Sequence, residues 1–515
     1  MRDLEATLSE EACWWPAGRV AAAIATRKLS ATEYLDGLLR RVAGENPDLG
    51  LIVTLNEHAR QQARAADDAV VRGEPLGPLH GVSMTVKDSF TTAGIRTAAG
   101  STMLVGNVPA VDADAVARVR RAGAIVLGKT NVPEQCADVQ TSHPVFGTSR
   151  NPWRPDHTPG GSSGGAAGAV AAGFTPVELG SDIAGSIRLP AGHCGIFGHR
   201  PSFGVVSTAG HLPPFQPVVS DLCTVGPLAR SVDDLELMLD VVAGPRRQER
   251  SAWRLRLPEA REPRRVAAWF DDPHCPVDSE IRDALEHAAR ALQGSGVVVE
   301  WASPPGVSLS VSDEVNRRLL SSVAQARYTT AEIRRIASGE LTTRGELGDE
   351  FAAQSYRDWL EADTRRHRLA VLWGRFFERY DAILLPVTPN LVPRHDHRPF
   401  GRRRIEVNGV ERPYWDQIVW AGLTAICRLP TTVVPTGLDS RGLPMGIAIT
   451  GPYLGDRTTL AVARRLVALL PPLGRPPRIS RQDAKRRPER LVAWLKGAPF
   501  DILPSLKGGD SHGRP

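Results

Sequence analysis

Long apolar runs, paired cysteines and lysines are all scarce in this chain of 515 residues. No run of eighteen or more apolar residues occurs, so the sequence predicts no membrane-spanning helix and no membrane partner. Residues 1–11 are acidic and lack the basic start and apolar core of a secretory signal. The six cysteines are scattered without a CxxC pair, which predicts free thiols and a cytoplasmic location.

Lysine is rare among the basic residues. Only six of the 63 basic residues are lysine, and Lys28, Lys87 and Lys129 are the three that precede the C-terminal tail. Arginine serves as well as lysine for surface charge, but it cannot act as a base because it stays protonated. A lysine retained in such a chain indicates a position where an amine is needed.

The excess of positive charge is confined to the end of the chain. The net charge is +6, and residues 475–515 contain ten basic and four acidic residues, so the preceding residues balance. This composition, with its prolines and glycines, predicts a loosely attached, solubilising tail. A nucleic-acid arm is the alternative interpretation of the tail, and we expect no nucleic-acid partner.

Helical and strand patterns alternate along the chain. In SATEYLDGLLRRV, Ser30 and Glu33 have the spacing of a capping box, and apolar residues recur on one helix face. In GVSMTVKDSF, apolar and polar residues alternate, which predicts a strand with Lys87 at its end. Such alternation predicts an α/β fold with a largely internal sheet. We expect one large domain at 1–474, in which 245–415 is a variable, substrate-facing subregion.

The stretch GGSSGGAAGAVAAG, residues 160–173, is too rich in glycine and serine to serve packing alone. A Walker phosphate loop would need a lysine at its end, and a dinucleotide fingerprint would need a different glycine spacing. The motif G-x-S-x-G makes Ser163 a candidate nucleophile, but that motif follows a strand, and the prolines of NPWRPDHTPG argue against one here. A flexible linker is a further interpretation, although AAGAVAAG is typical of a closely packed helix.

A second serine-containing segment follows, ELGSDIAGSIRLPAGHCGIFGHRPSFG, and together with GGSSGG it resembles the signature of the amidase signature family. Further matches are GPLHGVSMTVKDSFTTAGIRTAAGS, GKTNVPE and FGTSRNPW before the signature, and LPTTVVPTG, GLPMGIAITGPY and DRTTLAVARRL after it. The resemblance covers about residues 25–470. It implies a central mixed, twisted β-sheet covered by helices on both faces, with a catalytic core at 25–240 and 416–470.

The resemblance also implies a Ser–cis-Ser–Lys triad. Ser186 would attack the amide carbonyl, Ser162 would relay the proton, and Lys87 would act as the neutral base. A lysine can do so only where burial or nearby cations lower its pKa, and a buried strand end is a suitable place. The family places a cis peptide before the first serine, here between Gly161 and Ser162. Backbone N–H groups would form the oxyanion hole, namely those of Ile183, Ala184, Gly185 and Ser186.

The same resemblance gives other residues binding or supporting roles. Cys136 and Asp138 occupy positions that line the acyl pocket in relatives. Asp182 is expected to hold the oxyanion loop by accepting backbone N–H bonds, and a catalytic carboxylate is the alternative. Arg188 is expected either to form a structural ion pair or to bind an acidic substrate. The remaining supporting residues are Gly161 and Ser163.

Besides a conservative change at His199-Arg200-Pro201, where relatives have KP, the chain departs from the family pattern at three positions. The nucleophile follows Ala184 and Gly185 where relatives usually have two glycines, and the extra methyl group would narrow the pocket or restrict the loop. Ala425 and Arg428 replace the asparagine and glycine of a segment that lines the substrate region in relatives. These differences bear on specificity and leave the expected chemistry in place.

Three functions share this set of residues. Hydrolysis of a carboxylic amide, with esters as further substrates, through an acyl-serine is the leading hypothesis. Acyl transfer to an amine, as in an amide-forming enzyme, is the alternative because it shares the acyl-enzyme. The glutaminase subunit of a tRNA-dependent amidotransferase is disfavoured, because that subunit carries glutamine where this chain has Leu189.

The expected partner is a small, neutral or weakly polar amide, and the resemblance adds a possible homodimer. No cofactor is expected. No metal is predicted either, because the spacing of the clustered cysteines and histidines fits no metal template. These residues are His193, Cys194, His199 and Cys223.

Overall fold

Helices and strands alternate along the described chain, and most of the strands form a central sheet. The structure, a computed structural model, describes residues 9–212, 220–260, 262–325 and 327–477. The predicted basic tail at 475–515 therefore lies, from residue 478 on, outside the described residues. No helix within the described ranges has both the length and the apolarity needed to cross a bilayer. All six cysteines are free thiols, as the sequence predicts.

The strands, numbered in chain order, are short. They are β1 (Ile52–Leu55), β2 (Ser83–Lys87), β3 (Ile125–Thr130), β4 (Ser142–His143), β5 (Gly147–Thr148), β6 (Val177–Asp182), β7 (Phe197–Arg200), β8 (Thr224–Ala229), β9 (Arg265–Ala268), β10 (Val298–Trp301), β11 (Ala382–Pro386), β12 (Arg404–Val407), β13 (Val410–Pro413), β14 (Thr431–Leu438) and β15 (Pro444–Thr450).

The α-helices are numbered in the same way. They are α1 (Ala17–Ala25), α2 (Ala31–Leu49), α3 (Ala59–Arg72), α4 (Asp114–Arg121), α5 (Gly164–Ala171), α6 (Arg188–Cys194), α7 (Val232–Val242), α8 (Ser279–Gly294), α9 (Leu309–Gln325), α10 (Thr330–Ala337), α11 (Tyr356–Phe376), α12 (Val419–Ala425) and α13 (Asp456–Val467). Short 3₁₀ helices lie at Thr102–Leu104, Glu134–Cys136, Arg247–Glu249, Asp349–Phe351, Phe400–Arg402 and Tyr414–Ile418.

Eleven strands form one mixed sheet in the order β1-β3-β2-β6-β8-β7-β14-β15-β11-β9-β10. β2 is parallel to β3 and β6, and β9 is parallel to β10 and β11. The other neighbours in the sheet are antiparallel. Helices flank this sheet within a single α/β domain, so the predicted fold class is confirmed.

Local sequence signals explain where the first elements begin and end. Ser30 caps α2 by accepting the N–H of Glu33, whose carboxylate accepts the N–H of Ser30, so the predicted capping box is confirmed. β2 ends at Lys87, as predicted, and all five of its residues are buried. Because β2 and β6 are parallel, with Val86 opposite Leu179, their carboxyl ends meet at one edge of the sheet.

Helix α5 packs unusually close to its neighbours because its side chains are small. All eight of its residues are buried. A Cβ atom at Gly165 would lie 2.5 Å from the backbone nitrogen of Asn131, at the end of β3, so only glycine fits there. This close approach places the start of α5, with Ser162 and Ser163 before it, against the ends of the central strands.

The region 245–415, predicted to be a variable subregion that faces the substrate, has two structural roles. β9, β10 and β11 extend the central sheet. Helix α9 and the segment that follows it instead contribute side chains to a cleft next to the ends of β2 and β6. The predicted limits of this subregion stay a prediction.

Candidate active site

A cleft lies where β2 and β6 end. Ser162 and Ser186 both line it, although they come from different segments of the sequence signature. Cys136 and Asp138, the residues predicted to line an acyl pocket, also line this cleft. The structure therefore brings most of the predicted site residues together around one cavity.

Lys87 lies fully buried beneath the cleft, at the last position of β2. Its Nζ atom is 2.8 Å from Ser162 Oγ and 2.9 Å from Ser181 Oγ. Burial lowers the pKa of this amine, and the nearby Cys136, Cys223 and other acidic groups oppose that shift only in part. The site thus holds an amine with a weakened affinity for its proton in contact with two hydroxyl groups.

The backbone before α5 directs Ser162 toward Lys87. The peptide bond between Gly161 and Ser162 is cis. A Cβ atom at Gly161 would lie 2.6 Å from the carbonyl oxygen of Asp138, so this backbone is pressed against the segment that carries the acyl-pocket residues. The neighbouring Ser163 points elsewhere, since its hydroxyl donates to the carbonyl of Ser181. Ser162, and not Ser163, is therefore the serine in contact with the lysine.

Ser186 lies in the turn between β6 and α6, and its side chain is partly exposed to the cleft. Its hydroxyl makes no hydrogen bond to another described residue, so its oxygen is accessible to a bound molecule. Ile183 and Ala184 line the same wall, and among the described residues their backbone N–H groups and that of Ser186 have no acceptor. The N–H of Gly185 differs, because it donates to Asp182 Oδ1 at 2.8 Å. Three of the four predicted oxyanion donors are therefore unoccupied.

Asp182 fixes the shape of this turn. Its carboxylate accepts backbone N–H groups from Gly185 and Ile187, and it forms a two-pronged ion pair with Arg188. Burial alone would raise the pKa of the Asp182 carboxyl, but Arg188 and Arg200 outweigh it and hold the pKa well below its ordinary value. Of the alternatives for Arg188, the buried ion pair is the one present, because its side chain is only 2% exposed.

The two predicted acyl-pocket residues differ in their surroundings. The Cys136 thiol lies beside Ser162, and burial raises its pKa, so the thiol stays protonated. Asp138 accepts hydrogen bonds from Arg403 at 2.7 Å and from the Tyr414 hydroxyl at 2.6 Å. The negative charge of Asp138 is therefore compensated within the protein.

The opposite wall of the cleft is mainly apolar. Leu320 and Val323 of α9 line it together with Leu347 and Trp415. Arg327 and Glu346 also line it, and their side chains form an ion pair. Sequence reasoning did not single out these residues, because nothing in the local pattern places them opposite the two serines.

Three further polar residues of the cleft were not predicted as site residues. Ser181 links Lys87 to His211, whose Nε2 is 2.9 Å from Ser181 Oγ. The other ring nitrogen of His211 is 3.8 Å from the Cys223 sulfur. Ser181 does belong to the matched segment ELGSDIAGSIRLPAGHCGIFGHRPSFG, but its residue type and that of His211 do not by themselves indicate contact with a lysine.

The three departures from the family pattern have different locations. Ala184 lines the cleft, so its methyl group is part of the wall. Ala425 is fully buried in α12. Arg428 stacks on Phe203 and lies 3.9 Å from Asp221. Neither Ala425 nor Arg428 belongs to the described lining of the cleft.

Of the histidines and cysteines weighed as metal ligands, His199 and Cys194 have hydrogen-bond partners within the protein. His199 bonds to Thr432 and Asp456, and Cys194 donates to the Pro159 carbonyl. In the part of the chain that the structure describes, no group of three or more histidine, cysteine, aspartate or glutamate side chains is arranged to hold a metal ion.

Comparison with known proteins gives a consistent result. A family model described as Amidase matches residues 33–460. The chain is 33% identical to a glutamyl-tRNA(Gln) amidotransferase subunit of Thermus thermophilus, over 87% of this chain and 95% of that protein. It is also 33% identical to the indoleacetamide hydrolase of Bradyrhizobium diazoefficiens, over 87% of this chain and 85% of that protein. A solved structure of a bacterial aryl acylamidase of the amidase signature enzymes superposes with a TM-score of 0.76, at 26% identity, covering 90% of this chain and 99% of that one.

Proposed function

The chain belongs to the amidase family and is an enzyme that acts on carbon–nitrogen amide bonds, and from that premise we propose that it hydrolyses a small carboxylic amide through an acyl-enzyme on Ser186. The products are a carboxylic acid and an amine or ammonia. The observation that carries the proposal is the contact of 2.8 Å between the buried amine of Lys87 and Ser162, in a cleft that Ser186 also lines.

The first half of the reaction forms the acyl-enzyme. Ser186 Oγ attacks the carbonyl carbon while its proton passes to Ser162, and the proton of Ser162 passes to the neutral amine of Lys87. The oxyanion that forms is placed near the free N–H groups of Ile183, Ala184 and Ser186. Such donors stabilise the transition state because the charge on the oxygen exists only there.

Collapse of the tetrahedral intermediate completes the acyl-enzyme, and hydrolysis then releases the acid. Lys87, now protonated, gives its proton back through Ser162 to the leaving nitrogen, and the carbon–nitrogen bond breaks. A water molecule then attacks the acyl-serine, and its proton takes the same route to Lys87. The ester bond to Ser186 breaks, Ser186 recovers its proton, and the acid leaves. Burial of Lys87 supports this role, since a base must be deprotonated near the working pH.

The charges of the cleft favour an uncharged substrate. Arg327 is paired with Glu346, and Asp138 is paired with Arg403, so the described lining offers no uncompensated charge to a substrate. The apolar side chains around them, Trp415 among them, suit an aliphatic or aromatic acyl group. We therefore infer a neutral amide with an apolar acyl part.

A panel of amides and esters, read by mass spectrometry, tests the proposal. The wild-type protein is expected to convert apolar amides and to gain the mass of the acyl group under acid quench. Ser186→Ala is expected to lose both. Ser312→Ala is a matched control, because Ser312 is a buried serine of α9 whose hydroxyl bonds only to the Ser308 carbonyl. Full activity of Ser186→Ala would rule out the assigned nucleophile.

Acyl transfer to an amine is a second candidate because it uses the same acyl-enzyme. Adding a primary amine to the reaction distinguishes the two functions. A hydrolase gives mainly the acid at every amine concentration, whereas an acyltransferase gives mainly the new amide and little acid.

The glutaminase role in an amidotransferase is disfavoured by two observations. Leu189 follows Arg188 where the glutaminase subunit has glutamine. Free glutamine also carries an ammonium and a carboxylate, and the described cleft has no unpaired partner for either charge. Ammonia release from glutamine at a rate comparable to that from apolar amides would restore this role. We also propose that the protein is a homodimer and that it is cytoplasmic. Analytical sedimentation tests whether it is a homodimer.

A further inference from the structure

We propose that His211 is a positioning residue that acts through the Ser181 hydroxyl to direct the lone pair of Lys87 toward Ser162. The inference rests on the proposed function, in which Lys87 is the base. Three contacts carry it: Lys87 Nζ to Ser162 Oγ at 2.8 Å, Lys87 Nζ to Ser181 Oγ at 2.9 Å, and Ser181 Oγ to His211 Nε2 at 2.9 Å.

His211 is held firmly in this place. Its side chain packs against the Phe90 ring, with 5.0 Å between ring centroids, and its backbone bridges to Phe90. The residue is only 7% exposed. Burial, and after it the nearby Lys87, lowers the pKa of His211 to about 3, so the ring is neutral at physiological pH. A neutral imidazole has one nitrogen that donates and one that accepts.

The tautomer of His211 is assigned from the contacts of Cys223, which lies next to the other ring nitrogen. The Cys223 thiol is 3.9 Å from the Thr224 carbonyl, which can accept its proton, and the sulfur is 3.8 Å from His211 Nδ1. With its own proton directed to Thr224, the sulfur is an acceptor. On this basis we assign the proton to Nδ1 of His211, which makes Nε2 the acceptor.

This tautomer sets the direction of the remaining hydrogen bonds. Ser181 has a single proton, and it donates that proton to Nε2 of His211. The Ser181 oxygen then accepts an N–H from Lys87, which leaves the lone pair of the neutral amine free to face Ser162. With the opposite tautomer, Nε2–H would occupy the Ser181 oxygen, and the Ser181 proton would turn to the lone pair of Lys87. The base would then be blocked.

A covalent probe tests this proposal without knowledge of the substrate. A fluorophosphonate loses fluoride when an activated serine attacks its phosphorus, and the added mass reports the rate of attack. We would measure this rate for wild type, His211→Phe, His211→Gln, Ser181→Ala and the double variant His211→Phe/Ser181→Ala. The thermal midpoint of each variant is recorded alongside. His193→Gln is the control, because His193 is also buried and its ring nitrogens have no hydrogen-bond partner.

His211→Phe is expected to slow labelling about tenfold, the size of one buried hydrogen bond. His211→Gln is expected to recover most of the rate, since its amide oxygen can accept from Ser181. In the Ser181→Ala background, His211→Phe is expected to have no further effect, because His211 acts only through Ser181. A structural role would give additive losses and no recovery by glutamine.

Two results would overturn the inference: a wild-type rate for His211→Phe, or a further loss in the Ser181→Ala background. Should His211→Phe not fold, His211→Ala takes its place in the same cycle. Failure of the proposed function is distinguishable, because the wild type itself would then gain no label on Ser186, and Ser186→Ala would behave like the wild type.

Discussion

Lys87 and Lys129 lie on the neighbouring parallel strands β2 and β3, and both side chains are fully buried. Burial lowers the pKa of each amine. Lys129 is surrounded by groups that compensate a positive charge: the Phe90 carbonyl and the Thr92 hydroxyl accept its N–H groups, and the Asp88 carboxyl lies 4.0 Å away. Lys129 is therefore suited to hold its proton.

Lys87 has different partners. Its two hydrogen bonds go to the hydroxyl groups of Ser162 and Ser181, and no carboxylate of the described residues lies within ion-pair distance. A hydroxyl group can accept a hydrogen bond from an ammonium or donate one to an amine, so these partners suit both protonation states. The comparison teaches that burial alone does not make a lysine a base, and that the difference lies in what surrounds the nitrogen.

The largest expected effect separates the two lysines by activity. Lys87→Met should lower kcat/KM for an amide about a thousandfold or more, because the general base is lost. Lys129→Met should leave the activity of the folded fraction within about tenfold of wild type, because Lys129 does not contact the serines. Steady-state kinetics on both variants checks this, and equal losses would contradict the distinction.

The next-largest effect is on stability, where Lys129→Met is expected to be more damaging than Lys87→Met. Lys129→Met removes the cation next to the buried Asp88 carboxyl, which keeps only the N–H of Ala98, and it should cost about 3 kcal/mol of unfolding free energy. Lys87→Met leaves only hydroxyl groups that can pair otherwise, and it should cost little. Urea unfolding measures both. Adding Asp88→Asn should recover part of the loss in Lys129→Met, and no recovery would exclude Asp88 as the compensating charge.

The pH dependence sharpens the comparison further. Because the pKa of Lys87 is lowered in the folded protein, kcat/KM should rise with pH and level off well below the ordinary lysine pKa of about 10.4. Asp88→Asn changes the surroundings of Lys129 and not those of Lys87, so it should not shift the pH at which kcat/KM rises. If Asp88→Asn shifted this limb of the profile, the titrating base would be Lys129 and not Lys87.

Stability should respond to pH with a definite sign. Between the lowered pKa of folded Lys87 and its ordinary value, the unfolded chain binds more protons at this residue than the folded chain does. The unfolding free energy should therefore rise with pH in that window. Lys87→Met should reduce the slope, as measured by urea unfolding at several pH values. An unchanged slope would mean that the two states hold this proton equally.

The smallest expected effect comes from breaking the ion pair between Arg327 and Glu346 in the lining of the cleft. Glu346→Gln leaves Arg327 as a cation without its ion-pair partner in the wall opposite the serines. Amides that carry a carboxylate should then gain about threefold in kcat/KM relative to neutral amides, as for an ion pair that stays partly in contact with solvent. Arg441 pairs with Asp439 outside the cleft lining, so Asp439→Asn serves as the control. A gain for both variants would mean that net charge, and not the cleft, is responsible.

Much of the fold follows from local patterns. The capping box of α2, the strand that ends at Lys87 and the small-residue helix α5 each depend on residues close together in the sequence. The walls of the cleft do not. Leu320, Arg327 and Trp415 come from segments with no shared pattern, so no spacing in the chain indicates that they face one cavity.

The turn between β6 and α6, where the oxyanion donors are predicted, shows the same division in detail. Its residues are adjacent in the chain, so four backbone N–H groups could be predicted together. That Gly185 donates to Asp182 while its neighbours stay free depends on how the turn folds back over the carboxylate. A sequence motif identifies the backbone N–H groups, but it does not indicate which of them has an acceptor within the protein.

The motifs around Lys87, Ser162 and Ser186 are local and specific, so the sequence alone was enough to propose these three side chains as the reactive ones. The protonation and orientation of those groups, in contrast, depend on contacts that exist only in the folded chain. Lys87 contacts Ser181, which lies 94 residues further along the chain, and Ser181 contacts His211, a further 30 residues along. The physical reason is that a pKa and a hydrogen-bond direction depend on burial and on neighbours in space, and the folded sheet supplies both.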